Sequence, residues 1–250
     1  MKFFIIIILA TLSLRVFAQD NVQMQMSDEM KKQLTVASVD VIDLSGFAMM
    51  AQVQTVAPAA RVFVAHTAEA EIGAGAGGTW LNKIDVVDIA VDKIINIGNK
   101  VWDVVSKGTP ITNYQASVGT AMPENIKSWQ QLSGWQPPKS EKRVGIICKN
   151  LYGVEVARFV YNIILLYGGS YNGTGVYIGY AAVQPAELST AYMYTLSAQA
   201  KVESVFNMGT TQDPKAGMVL SVTWTLSNVL TKTTQTQSYS LDGLGNISNL

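Results

Sequence analysis

Gly73, Gly75 and Gly78 satisfy G-x-G-x-x-G ahead of a run with helical spacing. In that pattern a glycine turn and a helix N-terminus can cradle a dinucleotide pyrophosphate. The chemistry requires a parallel βαβ unit around it. Here the run leads into a polar stretch and then into alternating strands, so the glycines read as a hinge and no cofactor is expected. His66 is the one histidine. Glu69 and Glu71 stand near it, but no Cys or His lies at ligand spacing, so no metal is expected either. Cys148 shares a strand face with Val144 and Ile146, which marks it as a small buried hydrophobe rather than a nucleophile. As the sole cysteine it can form no intramolecular disulfide. The sequence contains neither G-x-S-x-G nor H-E-x-x-H.

An envelope hydrolase would need two carboxylates brought together in space. Glu155, Glu187 and Glu203 are widely separated in acid-poor strands, and the reading favours a non-catalytic protein. The remaining candidates for contact chemistry are Tyr167, Tyr171, Tyr177 and Tyr180, which surround the glycine-rich loop 168–175. Tyrosines exposed at a loop tip stack on sugars or sit at a lipid interface, whereas buried ones fill a β core.

These residues must be positioned by a chain that reads mainly as antiparallel β. Arg143–Lys149 and Val154–Tyr167 are expected as strands joined by the turn Asn150–Gly153, followed by a strand over Val176–Val183 that ends at Pro185. Tyr192 to Glu203 alternates apolar and polar, Met218 to Leu226 repeats the alternation, and Thr233–Leu241 supplies a last strand. The expected architecture is an antiparallel β-sandwich or an open barrel spanning 141–250. A closed membrane barrel competes, but the strands do not sort into lipid-facing and lumen-facing sets.

Ahead of that domain, Ser27-Asp28-Glu29 offers an N-cap and acidic first turn for a short helix through Leu34. Residues 19–78 otherwise read as short strands around Pro58 and the glycine hinge. Trp80, Ile84, Val87, Val91, Ile94, Gly98, Val101 and Val105 recur at alternating four- and three-residue spacings, and Trp102 widens the stripe. This spacing predicts one long amphipathic helix over 79–108, stopped by Lys107-Gly108 and Pro110 and packed against the sheet, which makes the fold α+β. A connector follows over 109–140, with a domain boundary near it.

Met1-Lys2, the apolar run Phe3–Leu12 and Val16-Phe17-Ala18 form a secretory signal over 1–18, too short to span a bilayer. Export to the periplasm, the outer-membrane surface or the exterior is expected. The formal charge is +0, with 18 basic and 18 acidic residues, and without Lys2 and Arg15 a slight acid excess remains. No basic stripe is present to displace counterions from phosphates, so nucleic acid is excluded as a partner. Membrane lipid, envelope glycan and protein stay open as partners, self-association included.

The stretches KVWDVVSKGTP (100–110) and LYGVEVARFVYNIILLYGG (151–169) resemble uncharacterised exported proteins of predatory Gram-negative bacteria, which implies an envelope or prey-facing location without an activity. A helix released beside a β domain is similar to the arrangement of actinoporin-type pore formers, though their basic and aromatic lipid-binding motif is missing here. The leading expectation is an exported structural, adhesive or binding β protein. The alternative is a membrane-active protein inserting the 79–107 helix, through Trp80, Ile84, Val87, Val91, Ile94, Val101, Trp102 and Val105.

Overall fold

The computed structural model describes residues 26–45, 91–111 and 118–250. The signal sequence, the glycine hinge with its G-x-G-x-x-G, His66, and Trp80, Ile84 and Val87 lie outside the described residues. The chain enters through a short helix, α1 (Asp28–Leu34), whose N-cap Ser27 accepts from the Met30 N–H as the sequence predicts. Twelve strands follow among the described residues: β1 (Val36–Asp43), β2 (Ile94–Ile95), β3 (Val101–Ser106), β4 (Thr109–Pro110), β5 (Gly119–Pro123), β6 (Lys139–Asn150), β7 (Glu155–Tyr171), β8 (Thr174–Thr190), β9 (Thr195–Asn207), β10 (Ala216–Ser227), β11 (Lys232–Asp242) and β12 (Ile247–Asn249).

They form two six-stranded sheets, in the orders β1-β6-β7-β8-β5-β2 and β12-β11-β10-β9-β3-β4, with every neighbouring pair antiparallel. The period-2 alternation explains why two layers result. On β7 the side chains of Phe159, Tyr161, Ile163 and Leu165 point to one face, and on β10 Leu220, Val222, Trp224 and Leu226 do the same. All belong to a single apolar core. Each such side chain contributes roughly 1.5–3 kcal/mol on burial, so the sandwich is held from its middle. β5, within the polar stretch 109–140, is buried along its whole length beside β8.

Among the described residues the long helix is not found. Val91 lies in a turn, Ile94 in β2, and Val101, Trp102 and Val105 in β3, which pairs with β9. Three- and four-residue spacings of apolar residues coexist here with alternation, and Val and Ile side chains pack well on a pleated surface. Pairing with β9 decides between the two readings. The supposed helix stop is a hairpin: Lys107 (φ 48°) and Gly108 (φ 77°) are the two central residues of a tight turn in which Ser106 pairs with Thr109. A C-terminal helix glycine and this mirror-image hairpin turn both need positive φ, so the same letters serve either.

The expected glycine-rich loop is also shorter than read. β7 continues to Tyr171 and β8 starts at Thr174, leaving only Asn172 (φ 50°) and Gly173 (φ 78°) as the turn. Pro185 does not end β8. It pairs with Tyr161 beside a register shift, where a missing N–H is tolerated.

Candidate functional site: a cleft at the open edge of the sandwich

Along β11 the inward positions are Gln235, Gln237, Tyr239 and Leu241, opposite Trp224, Val222, Leu220 and Met218 of β10. The inner face therefore turns from apolar to polar toward the edge formed by β11 and β12. On the other sheet the matching edge is β1 beside β6, where Val41 stands exposed and Asp43 and Lys142 lie close together. Two polar inner edges cannot close on each other as the apolar centre does. They part instead around a cleft of about 400 Å³ lined by Val41, Asp43, Lys142, Gln237, Tyr239 and Asn249, together with Val144, Thr236, Ser238 and Leu250.

Lys142 occupies an inward position on β6, in step with Val144 and Ile146, and its side chain is only 11% exposed. A buried ammonium needs a partner. It has one in Asp43, whose Oδ2 is 2.5 Å from Nζ, while the other carboxylate oxygen accepts from the Ser45 N–H at 3.0 Å and from its hydroxyl. The Lys142 ammonium, then the Ser45 donors, hold the Asp43 carboxyl down to about 2. Ser45 Oγ in turn accepts from the Arg143 N–H at 3.1 Å, which fixes the end of β1 against β6.

Deeper in, the Tyr239 and Tyr161 hydroxyls meet at 2.6 Å. Burial raises both phenols above the ordinary tyrosine value, Tyr161 by far the more. The Trp224 indole N–H donates to Gln237 Oε1 at 3.1 Å, so a fully buried ring reports directly on a cleft side chain.

This arrangement has limited reactive capacity. Asp43 is ionised and spoken for, so it has no proton to give at neutral pH, and Lys142 is tied to it. What the lining offers is a mixture of donors and acceptors with compensated charge. Among the described residues no group of three or more His, Cys, Asp or Glu could hold a metal, and no helix is long and apolar enough to cross a membrane.

The four sequence-predicted tyrosines do not converge. Tyr177 is fully buried, its hydroxyl donates to the Val91 carbonyl at 2.7 Å, and burial pushes it up to about 12, with Asp92 and Asp213 adding to the shift. Tyr167 is also buried, with the Lys139 ammonium 5.0 Å from its ring centre. Tyr171 is half-buried against the core at the end of β7, and Tyr180, half-buried, pairs with Leu166 on the opposite face of the same sheet. Tyr167 and Tyr177 serve packing, while Tyr171 and Tyr180 keep partly exposed rings. Cys148 is buried as expected, and burial pushes its thiol up to about 11.

The cleft residues escaped the sequence reading because they come from strands about a hundred and two hundred positions apart. One signal was present: glutamines at consecutive inward positions of β11, where alternation calls for apolar side chains. Compared with protein-family models, curated proteins and solved structures, the chain finds no match.

Proposed function

We propose that this chain is an exported, non-catalytic binding protein whose edge cleft takes an uncharged, polyhydroxylated ligand of the saccharide class. The observation that carries the reading is the cleft lining itself. A neutralised Lys142–Asp43 pair and the side-chain amides of Gln237 and Asn249 supply donors and acceptors side by side, next to apolar Val41 and Val144. Charged ligands would have to break the ion pair, whereas hydroxyl groups insert among the existing partners without disturbing it. The signal-like start of the chain and its neutral polar surface support a location outside the cytoplasm, where envelope glycan is the abundant ligand of that chemistry.

The test is a titration of the ¹⁵N-labelled chain with neutral oligosaccharides, chitotriose and maltotriose, following the Trp224 indole resonance. Specific binding shifts that resonance saturably, and Lys142→Met removes the shift while leaving the rest of the spectrum in place. Unmoved indole resonances with both sugars at millimolar concentration would sink the proposal.

A further inference from the structure

Three turns lie at the end of the sandwich where β6 meets β7, β8 meets β9 and β10 meets β11. Their residues are Leu-Tyr-Gly-Val (151–154), Ala-Tyr-Met-Tyr (191–194) and Asn-Val-Leu-Thr (228–231), without a single charge. Surface turns favour Gly, Asn, Asp and Ser for reasons of backbone geometry. The opposite end follows that habit, with Asn172-Gly173 between β7 and β8 and Gly243 to Asn246 between β11 and β12. At the three-turn end Gly153 (φ 74°) and two asparagines handle the geometry, and the three tips are apolar although no turn requires it; the β3–β4 turn at Lys107-Gly108 lies at the same end, its Gly108 N–H donating to the Leu196 carbonyl. Asn150 Oδ1 accepts from the Tyr152 and Val154 N–H groups, at 3.0 and 3.1 Å, and Asn228 Oδ1 accepts from those of Leu230 and Thr231, both at 2.8 Å.

The apolar tips point to solvent. Tyr192 is 91% exposed, Val229 68% and Val154 59%, and Leu151, Tyr152 and Leu230 are exposed as well. Met193 holds a positive φ of 72°, a strained conformation for a side-chain-bearing residue, and this twist separates the outward Tyr192 from Tyr194, which is buried. The turns are also tied together. The Gln33 carbonyl at the end of α1 accepts from Asn150 Nδ2 at 3.2 Å and from the Tyr194 hydroxyl at 2.8 Å, and the Leu34 carbonyl accepts from Asn228 Nδ2 at 2.5 Å and Thr231 Oγ1 at 3.3 Å. One short helix thus binds a side chain from the base of each turn and sets three apolar tips as a rigid group.

We propose that this end seats on a lipid bilayer, with Leu151, Tyr152, Val154, Tyr192, Val229 and Leu230 entering the boundary between headgroups and acyl chains. Tips on three separate projecting turns need no matching hollows in a fluid bilayer, whereas a folded partner would have to supply one for each. Tyrosine is suited to that depth, because its ring is apolar and its hydroxyl wet. Lys32 and Lys232 flank the tips and have no ion pair among the described residues, so they can meet headgroup phosphates. Lys31 is compensated by Asp28, Lys149 by Asp40 and Arg158 by Glu155, while Glu29 of α1 and Lys107 of the β3–β4 turn, also at this end, have no ion pair among the described residues and offset each other in sign. Apolar insertion therefore carries the contact, and salt weakens it little. The edge cleft lies well back from this end, since Lys142 precedes Asn150 by eight residues of strand, roughly 25 Å, and stays open in the docked state.

Flotation of the full chain with vesicles tests the proposal, using phosphatidylcholine alone and phosphatidylcholine with phosphatidylglycerol. The unaltered chain should float with both at low and high salt. The triple variant Leu151→Ser, Tyr192→Ser, Val229→Ser should keep its thermal unfolding midpoint and lose flotation, about tenfold in partition coefficient for each side chain removed. A control with Met208→Ser and Leu244→Ser, exposed at other turns, should float like the unaltered chain. Failure of the unaltered chain to float with either composition overturns the proposal, and so does a triple variant that floats as well as its parent. A dimer in solution that the triple variant dissolves, without vesicle binding, would assign the surface to protein association instead.

Discussion

The hydroxyl pair of Tyr161 and Tyr239 joins the two sheets under the cleft, each hydroxyl the partner of the other. Both side chains are fully buried. In Tyr239→Phe or Tyr161→Phe the hydroxyl left behind keeps no partner and no access to water, which costs about 2 kcal/mol. For a chain of this size each kcal/mol moves the midpoint by roughly 2–4 °C. Calorimetry should therefore place each single variant about 4–8 °C below the parent. The double variant removes both polar groups together and should lie no lower than either single variant. A single variant within about 1 °C of the parent would refute the claim that the pair is sealed from water, and a double variant at the sum of the two would show that the hydroxyls do not interact.

Three further outcomes follow from the same geometry. Asp43 ionises more readily folded than unfolded, so its contribution is complete above the ordinary carboxylate value near 3.8 and vanishes as pH falls through about 2. The side chain is 51% exposed, which limits the effect to about 0.5–1 kcal/mol; urea midpoints of Asp43→Asn and the parent should converge between pH 4 and pH 2 and stay apart at pH 6. Cys148 should resist a thiol reagent at pH 8 in the native state and react at once in guanidinium, since it is buried and its thiol is raised to about 11. In Gly169→Ala the new methyl group would lie 2.4 Å from the Trp135 ring, so the ring must move, at about 1–3 kcal/mol, with a red shift in tryptophan emission.

The strands after Arg143 were legible because alternation survives wherever one face is buried and the other wet, as on β9, where Leu196, Ala198, Ala200 and Val202 alternate with Ser197, Gln199 and Lys201. The short helix was legible from its cap. Partnership was not legible. Nothing local says that β8 crosses to β9 in the other sheet, that β5 slots between β8 and β2, or that Asp43 meets Lys142 ninety-nine positions away. The tyrosines misled for the same reason, since Tyr177 and Tyr180 carry identical local signals and end on opposite faces. The apolar turn tips were visible as letters, but only the folded chain shows that three of them share one end and one helix.

The region 91–106 allows a decisive comparison, because the two readings of it demand opposite behaviour from Asn96. In a helix an exposed Asn→Ala change is stabilising, alanine being the better helix former by about half a kcal/mol. In the sandwich Asn96 is a junction between β2 and β3. Its Oδ1 accepts from the Gly98 N–H at 3.0 Å, the Thr120 N–H at 2.8 Å and the Thr120 hydroxyl at 3.1 Å, and Thr120 itself is buried. Gly98 is held so close to the Val118 carbonyl that a Cβ there would lie 2.4 Å from the oxygen. Asn96→Ala leaves at least the buried Thr120 N–H without a partner, so the expected loss is about 1–3 kcal/mol, read as a lower urea midpoint at unchanged slope. A gain in stability would restore the helix, and with it the membrane-inserting role that the spacing of Val91, Ile94, Val101 and Val105 first suggested.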